Sequence, residues 1–218
     1  MTATLVGIVA LTLAAGTPLV IAAIGELVVE RAGVLNLGVE GMMLIGAVTG
    51  FIVTVHTHAP WLGVVAAIGA GTAMALMFGV IALTLQANQV ASGLALSLFG
   101  VGLSGFVGMP YVAAVVVPIH PVDFGALSTM PVLGPLLFAH NPLVYASIAL
   151  TAAVDLFLNR TRAGLVVRAV GESPQSAHAI GYRVIAIRYA AVAFGGGCAG
   201  LAGAYLSLAF TPLWSEGM

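Results

Sequence analysis

Five polar side chains stand in or against apolar sequence, where a small polar solute could be handled: Asn36, Glu40, Asn88, Gln89 and Ser92. Asn36 and Asn88 each precede an apolar run and read as helix N-caps, with Glu40 and Ser92 one turn inside. Helix N-termini that face a cavity hold polar solutes near the bilayer midplane in transporters, and this mixture of donors and acceptors suits sugar hydroxyls or a base edge. These five are therefore the candidates for lining a substrate pathway. Upstream, Glu26 and Glu30 lie one helical turn apart beside Arg31. Pairing of either carboxylate with the guanidinium would serve as structural glue at a membrane boundary.

Bond-breaking chemistry finds little support. A serine nucleophile in Gly102-Leu103-Ser104-Gly105 would need a histidine base on a later apolar segment, and 141–158 and 189–210 contain none. His56 and His58 have no acidic neighbours, so no metal site is expected. The glycine-rich run 195–204 lacks the Lys-Ser/Thr ending of a nucleotide loop. Gly196, Gly200 and Ala204 recur every four residues, which makes one small-residue stripe for close helix packing. No catalytic residue and no cofactor is expected.

The elements that must position these residues follow from composition. Of 218 residues, 61% are hydrophobic and only 6% charged, against roughly 25% charged in soluble chains. A soluble α/β enzyme is excluded. A net charge of −1 gives no basic stripe for a nucleic acid. All six basic residues are arginine, so neither a P-loop lysine nor a Schiff base is available. The single cysteine, Cys198, forms no disulfide framework. The apolar runs are long and continuous, which predicts an all-α, polytopic transmembrane bundle rather than a β-barrel. Spans are expected at 4–24, 38–55, 61–86, 88–106, 141–158 and 189–210, within one transmembrane domain covering 1–218.

Between the spans lie two long segments of opposite character. Residues 107–140 carry Pro110, Pro118, Pro121, Pro131 and Pro135 and no basic residue. Residues 159–188 carry five of the six arginines: Arg160, Arg162, Arg168, Arg183 and Arg188. The arginine-rich loop is expected in the cytoplasm and 107–140 outside it, with the amino terminus outside. Span 189–210 ends shortly before Met218 with no apolar partner after it, so a carboxy-terminal truncation is expected.

Within 159–188, Ser173 suits an N-cap and Pro174 the first helical position. About two turns follow, and Gly181 suits the stop. A capped helix on a cytoplasmic loop reads as a docking knob. The run Thr161-Arg162-Ala163-Gly164-Leu165-Val166-Val167-Arg168-Ala169-Val170-Gly171-Glu172-Ser173-Pro174 resembles the cytoplasmic loop of ATP-binding-cassette importer permeases of the branched-chain amino acid/simple-sugar superfamily. Glu30-Arg31-Ala32-Gly33-Val34-Leu35-Asn36-Leu37-Gly38-Val39-Glu40-Gly41-Met42-Met43 and Asn88-Gln89-Val90-Ala91-Ser92-Gly93 match the same family in order. The first of these is most similar to nucleoside importer permeases.

The resemblance implies a permease subunit in a bacterial-type cytoplasmic (inner) membrane. Its partners would be ATP-binding subunits, a second homologous permease and an extracytoplasmic substrate-binding protein, within the lipid bilayer. It further implies that Arg168, Gly171, Glu172, Pro174, Ala177 and Gly181 belong to the loop that couples to the ATPase. Ser176-Ala177 stands where the family commonly has two alanines.

Overall fold

The computed structural model describes residues 2–112, 114–122, 125 and 134–215. Among the described residues, six helices are long and apolar enough to cross a membrane. In chain order the helices are α1 (Thr2–Arg31), α2 (Val39–Thr57), α3 (Pro60–Gly79), α4 (Gln89–Gly108), α5 (Pro142–Arg160), α6 (Arg162–Glu172), α7 (Pro174–Ala179) and α8 (Val184–Tyr205). Five-residue π-helical turns extend α3 through Thr84 and α8 through Phe210. Among the described residues the sole β feature is an isolated bridge between Val115 and Leu213. The all-α, six-span architecture is as expected.

Several boundaries differ from the sequence expectation. α1 does not stop at residue 24 but runs on through Glu26 and Glu30 to Arg31. Its 30 residues rise about 45 Å, more than the thickness of a hydrocarbon core of about 30 Å. α8 begins at Val184 rather than 189, and α5 reaches Arg160. The arginine-bearing connection is therefore 161–183, and most of it is helical. Much of the 107–140 segment, at 113, 123, 124 and 126–133, lies outside the described residues.

α8 is the hub and packs against α1, α2 and α3. Lipid is as apolar as leucine, so close packing rather than hydrophobic burial must hold such helices together. Small residues supply it on each face of α8. Gly195 meets Gly25 and Val29 of α1, Gly196 and Gly200 meet Gly71 and Ala67 of α3, and Gly203 meets Met43 and Ala47 of α2. Ala204 is fully buried in the cluster that holds Phe51, Tyr205 and Leu208. α4 leans on α2, where Gly41 and Gly100 bring the two backbones together. The outward faces stay apolar, as Leu98 and Phe106 show at about three-quarters exposed.

The connectivity puts two sets of turns at opposite ends of the bundle. One end holds 32–38, 85–88 and 161–183. The other holds 58–59, the described parts of the 109–141 connection and 211–215. At the latter, Asn141 caps α5 by accepting from the Leu143 N–H at 3.0 Å, and its amide donates to the Ile119 carbonyl. The Ile119 N–H in turn donates to the Leu208 carbonyl at 3.0 Å. His56 Nε2 meets the Tyr111 hydroxyl at 2.9 Å with the rings edge to face. His58 closes α2 in a left-handed conformation, its N–H on the Thr54 carbonyl.

Candidate functional site

Polar groups concentrate at the arginine-bearing end, around the elbow between α1 and α2. The elbow starts where Gly33 takes a φ of +75°, a conformation glycine adopts without the steric cost of a side chain. Asn36 lies three residues before the helix start and is not the residue that caps α2. The N-cap is Gly38, which offers no side chain, and Asn36 Oδ1 accepts the Gly38 N–H at 2.9 Å in an Asx-type turn. Asn36 is 2% exposed, and its amide nitrogen meets Met42 Sδ at 3.6 Å. Its side chain is committed to the elbow.

Glu26 carries the other half of that arrangement. Its Oε1 accepts the Asn36 N–H at 3.1 Å, while its Oε2 is buried without a partner. The carboxylate thus serves the elbow backbone, not Arg31, which stands exposed at the end of α1. This replaces the expected ion pair. The physical reason is reach: Glu26 faces inward beneath the elbow, and a buried N–H needs an acceptor more than an exposed arginine does.

Asn88 does cap α4, its Oδ1 accepting the Ala91 N–H at 3.1 Å. Gln89 spends its Oε1 on the Leu35 N–H at 2.8 Å and so ties the start of α4 to the elbow. Ser97 adds a second tie, donating to the Leu37 carbonyl at 3.0 Å. Gly93 makes both possible, because a Cβ there would stand 2.7 Å from the Leu37 nitrogen. Glu40 is exposed in the first turn of α2, where a carboxylate complements the helix dipole, and Ser92 is half-buried. The structure therefore brings Asn36, Gln89 and the turn carrying Ser92 into one cluster. Glu40 and Asn88 stand at its accessible margin.

Ser97, Gly33 and Arg188 belong to this cluster and are absent from the five candidates. Gly33 had a readable signal, since a glycine after an apolar helix and a terminal arginine is a stop signature. Ser97 had none, because a serine inside an apolar helix is more often a packing residue. Arg188 sits at the base of α8, its Nε donating to the Ala32 carbonyl at 3.1 Å. With Gln86 and Gln89 it lines a pocket of about 260 Å3. A larger cavity of about 580 Å3, walled by Val28, Leu150, Phe157, Val167, Ile187 and Phe194, is almost wholly apolar. It offers a polar solute nothing to bind.

The loop helices stand beside the elbow. Thr161 caps α6 through the Gly164 N–H at 3.0 Å. Ser173 caps α7 with Pro174 at its first position, and Ala177 is buried. Gly181 has a φ of +95°. Its N–H donates to the His178 carbonyl, and the Tyr182 N–H donates to the Ala177 carbonyl, which makes a Schellman stop. Glu172 is exposed. Arg168 is half-buried, with a buried Nε that lacks a partner among the described residues. Ser104, the one hydroxyl tested as a nucleophile, is buried and donates to the Val101 carbonyl of its own helix.

Comparison with known proteins fits this geometry. Residues 8–218 match the family model described as branched-chain amino acid transport system / permease component. A putative glucose ABC transporter permease protein of Haloferax volcanii is 43% identical over 216 residues, covering 97% of this chain and 66% of that protein. A guanosine ABC transporter permease protein of Bacillus subtilis is 33% identical over 210 residues, covering 90% and 65%. A nucleoside ABC transporter permease protein of Lactococcus lactis subsp. cremoris is 31% identical over 219 residues, covering 95% and 69%. The chain thus spans about two thirds of the length of the curated relatives it matches. No solved structure matches it significantly. The chain is a multi-pass membrane protein and belongs to the branched-chain amino acid transport system permease family.

Proposed function

We propose that this chain is the membrane-spanning permease subunit of an ATP-binding-cassette importer for nucleosides. The observation that carries the reading is α7, a helix of two turns with a serine cap, a first-position proline and a glycine stop, held at the arginine-bearing end of the bundle. A stand-alone carrier has no use for such a knob, whereas an ATP-driven permease must receive force at one. The arginine content supports a cytoplasmic position for that end, and the resemblance to importer permeases supports a bacterial-type inner membrane. ATP-binding subunits grip α7, a second homologous permease completes the pathway, and an extracytoplasmic binding protein delivers substrate. Arg168, Gly171, Glu172, Pro174, Ala177 and Gly181 form the coupling loop. Asn36, Glu40, Asn88, Gln89 and Ser92 border the pathway. The chain itself makes and breaks no covalent bond, and hydrolysis belongs to the ATPase chain.

Two relatives whose names specify guanosine or nucleosides support the substrate class. Simple sugars are the second reading, favoured by the 43% identity to a putative glucose permease. The deciding experiment is ATPase stimulation of the reconstituted complex across a panel of nucleosides and sugars. Stimulation by nucleosides is the expected result, and a response to sugars alone overturns the substrate class. Transport by the chain alone, driven by an ion gradient, overturns the permease reading.

A further inference from the structure

Four contacts join the α6–α7 loop to the start of α4 by way of the elbow. Gly171, at the end of α6, lies directly on the elbow. A Cβ on Gly33 would stand 3.0 Å from Gly171 Cα, and one on Gly171 would overlap the Arg31 carbonyl. Arg188 clamps the same turn from α8 through the Ala32 carbonyl, with its guanidinium also beside Gly33. Beyond the elbow, the Leu35 N–H is held by Gln89, and the Leu37 carbonyl by Ser97. Backbone packed on backbone has no rotamer with which to absorb a displacement, and close-packed interiors transmit strain. Movement of the loop must therefore move the elbow, and movement of the elbow must move the first turns of α4.

We propose that the Gly33–Gly171 contact, clamped by Arg188, is the point at which ATPase-driven movement of α7 passes to the pathway, with Gln89 as the receiving group on α4. The inference rests on the permease reading above and adds positioning roles for Gly33 and Arg188. Gly33, Gly171 and Arg188 touch no substrate in this scheme. They act by keeping loop and elbow one rigid body.

The test uses the full importer, with its ATPase subunits and binding protein, in liposomes. Spin labels at exposed Leu35 and Gln175 report the loop–elbow distance, and labels at Gln175 and Val65 report the loop against α3. Between the nucleotide-free and ATP-trapped states, the first distance is expected to stay fixed while the second changes. In parallel, Arg188→Gln should lower substrate moved per ATP hydrolysed roughly tenfold, an ordinary size for a coupling between sites, while the ATPase subunits still copurify. Gly171→Ala should do the same, and if that variant fails to assemble, Arg188→Gln and the distances decide. Unaltered coupling in Arg188→Gln, or a Leu35–Gln175 distance that changes as much as Gln175–Val65, overturns the inference and leaves the permease reading standing. Failure of the unmodified chain to hold the ATPase subunits overturns both.

Discussion

Gly46 of α2 and Gly200 of α8 meet backbone to backbone, so closely that a Cβ on Gly46 would stand 2.6 Å from Gly200 Cα. Gly200 also faces the Ala67 carbonyl of α3, so one residue sets the approach of three helices. Gly200→Val should cost roughly 1–3 kcal/mol or more, because overpacking a tight core forces backbones apart. Thermal unfolding in detergent measures it. Gly102→Ala on α4, where an added Cβ meets open space, should cost nothing. Equal losses in the two variants would show that helix flexibility, not packing, is what glycine supplies.

Glu26 divides its two oxygens between a bonded and an orphaned role. Glu26→Gln keeps an oxygen for the Asn36 N–H and should leave stability within about 0.5 kcal/mol of the parent. Glu26→Ala strands that N–H and should cost about 1–3 kcal/mol. The same unfolding measurement separates them. A glutamine variant as damaged as the alanine one would mean the charge itself is required.

Asn36 and Glu40 lie one turn apart but should fail differently. Asn36→Ala removes the acceptor for the Gly38 N–H and should lower stability by about 1–3 kcal/mol. Glu40 is exposed and makes no such bond, so Glu40→Gln should cost at most the helix-dipole contribution of about 0.3–1 kcal/mol while reducing uptake in liposomes. Uptake equal to the parent for Glu40→Gln would remove Glu40 from the pathway.

Trp214 is buried against Gly108, with its indole N–H unpartnered among the described residues. Trp214→Ala should cost about 3–5 kcal/mol, the usual range for emptying an aromatic site. Trp214→Phe removes the orphaned donor along with part of the ring and should lie within about 1 kcal/mol of the parent. A Phe variant as unstable as the Ala variant would require a bond to the indole nitrogen in the folded protein.

Hydropathy made the six spans legible because a bilayer imposes a minimum apolar length that few other structures need. Their ends were less so. Glu26 and Glu30 read as a stop for α1 only if a carboxylate must face water; Glu26 instead meets a backbone N–H ten residues on, a tertiary contact no local pattern announces. The capped α7 was legible throughout, since Ser173, Pro174 and Gly181 act on their own neighbours. Asn36 shows the opposite case. An asparagine before an apolar run suits both an N-cap and an Asx turn, and two residues of offset separate the two. Arg188 read as topology-setting charge because its partner, Ala32, is 156 positions away.

Cys198, wedged against Gly25 where α1 crosses α8, is the only thiol in all 218 residues. Buried between two helices, it is closed to aqueous maleimides and to thiol-directed spin labels. These 218 residues are therefore a silent background for site-directed labelling. Within them, probes placed at the elbow, on α7 or along α4 can be read without first replacing a cysteine.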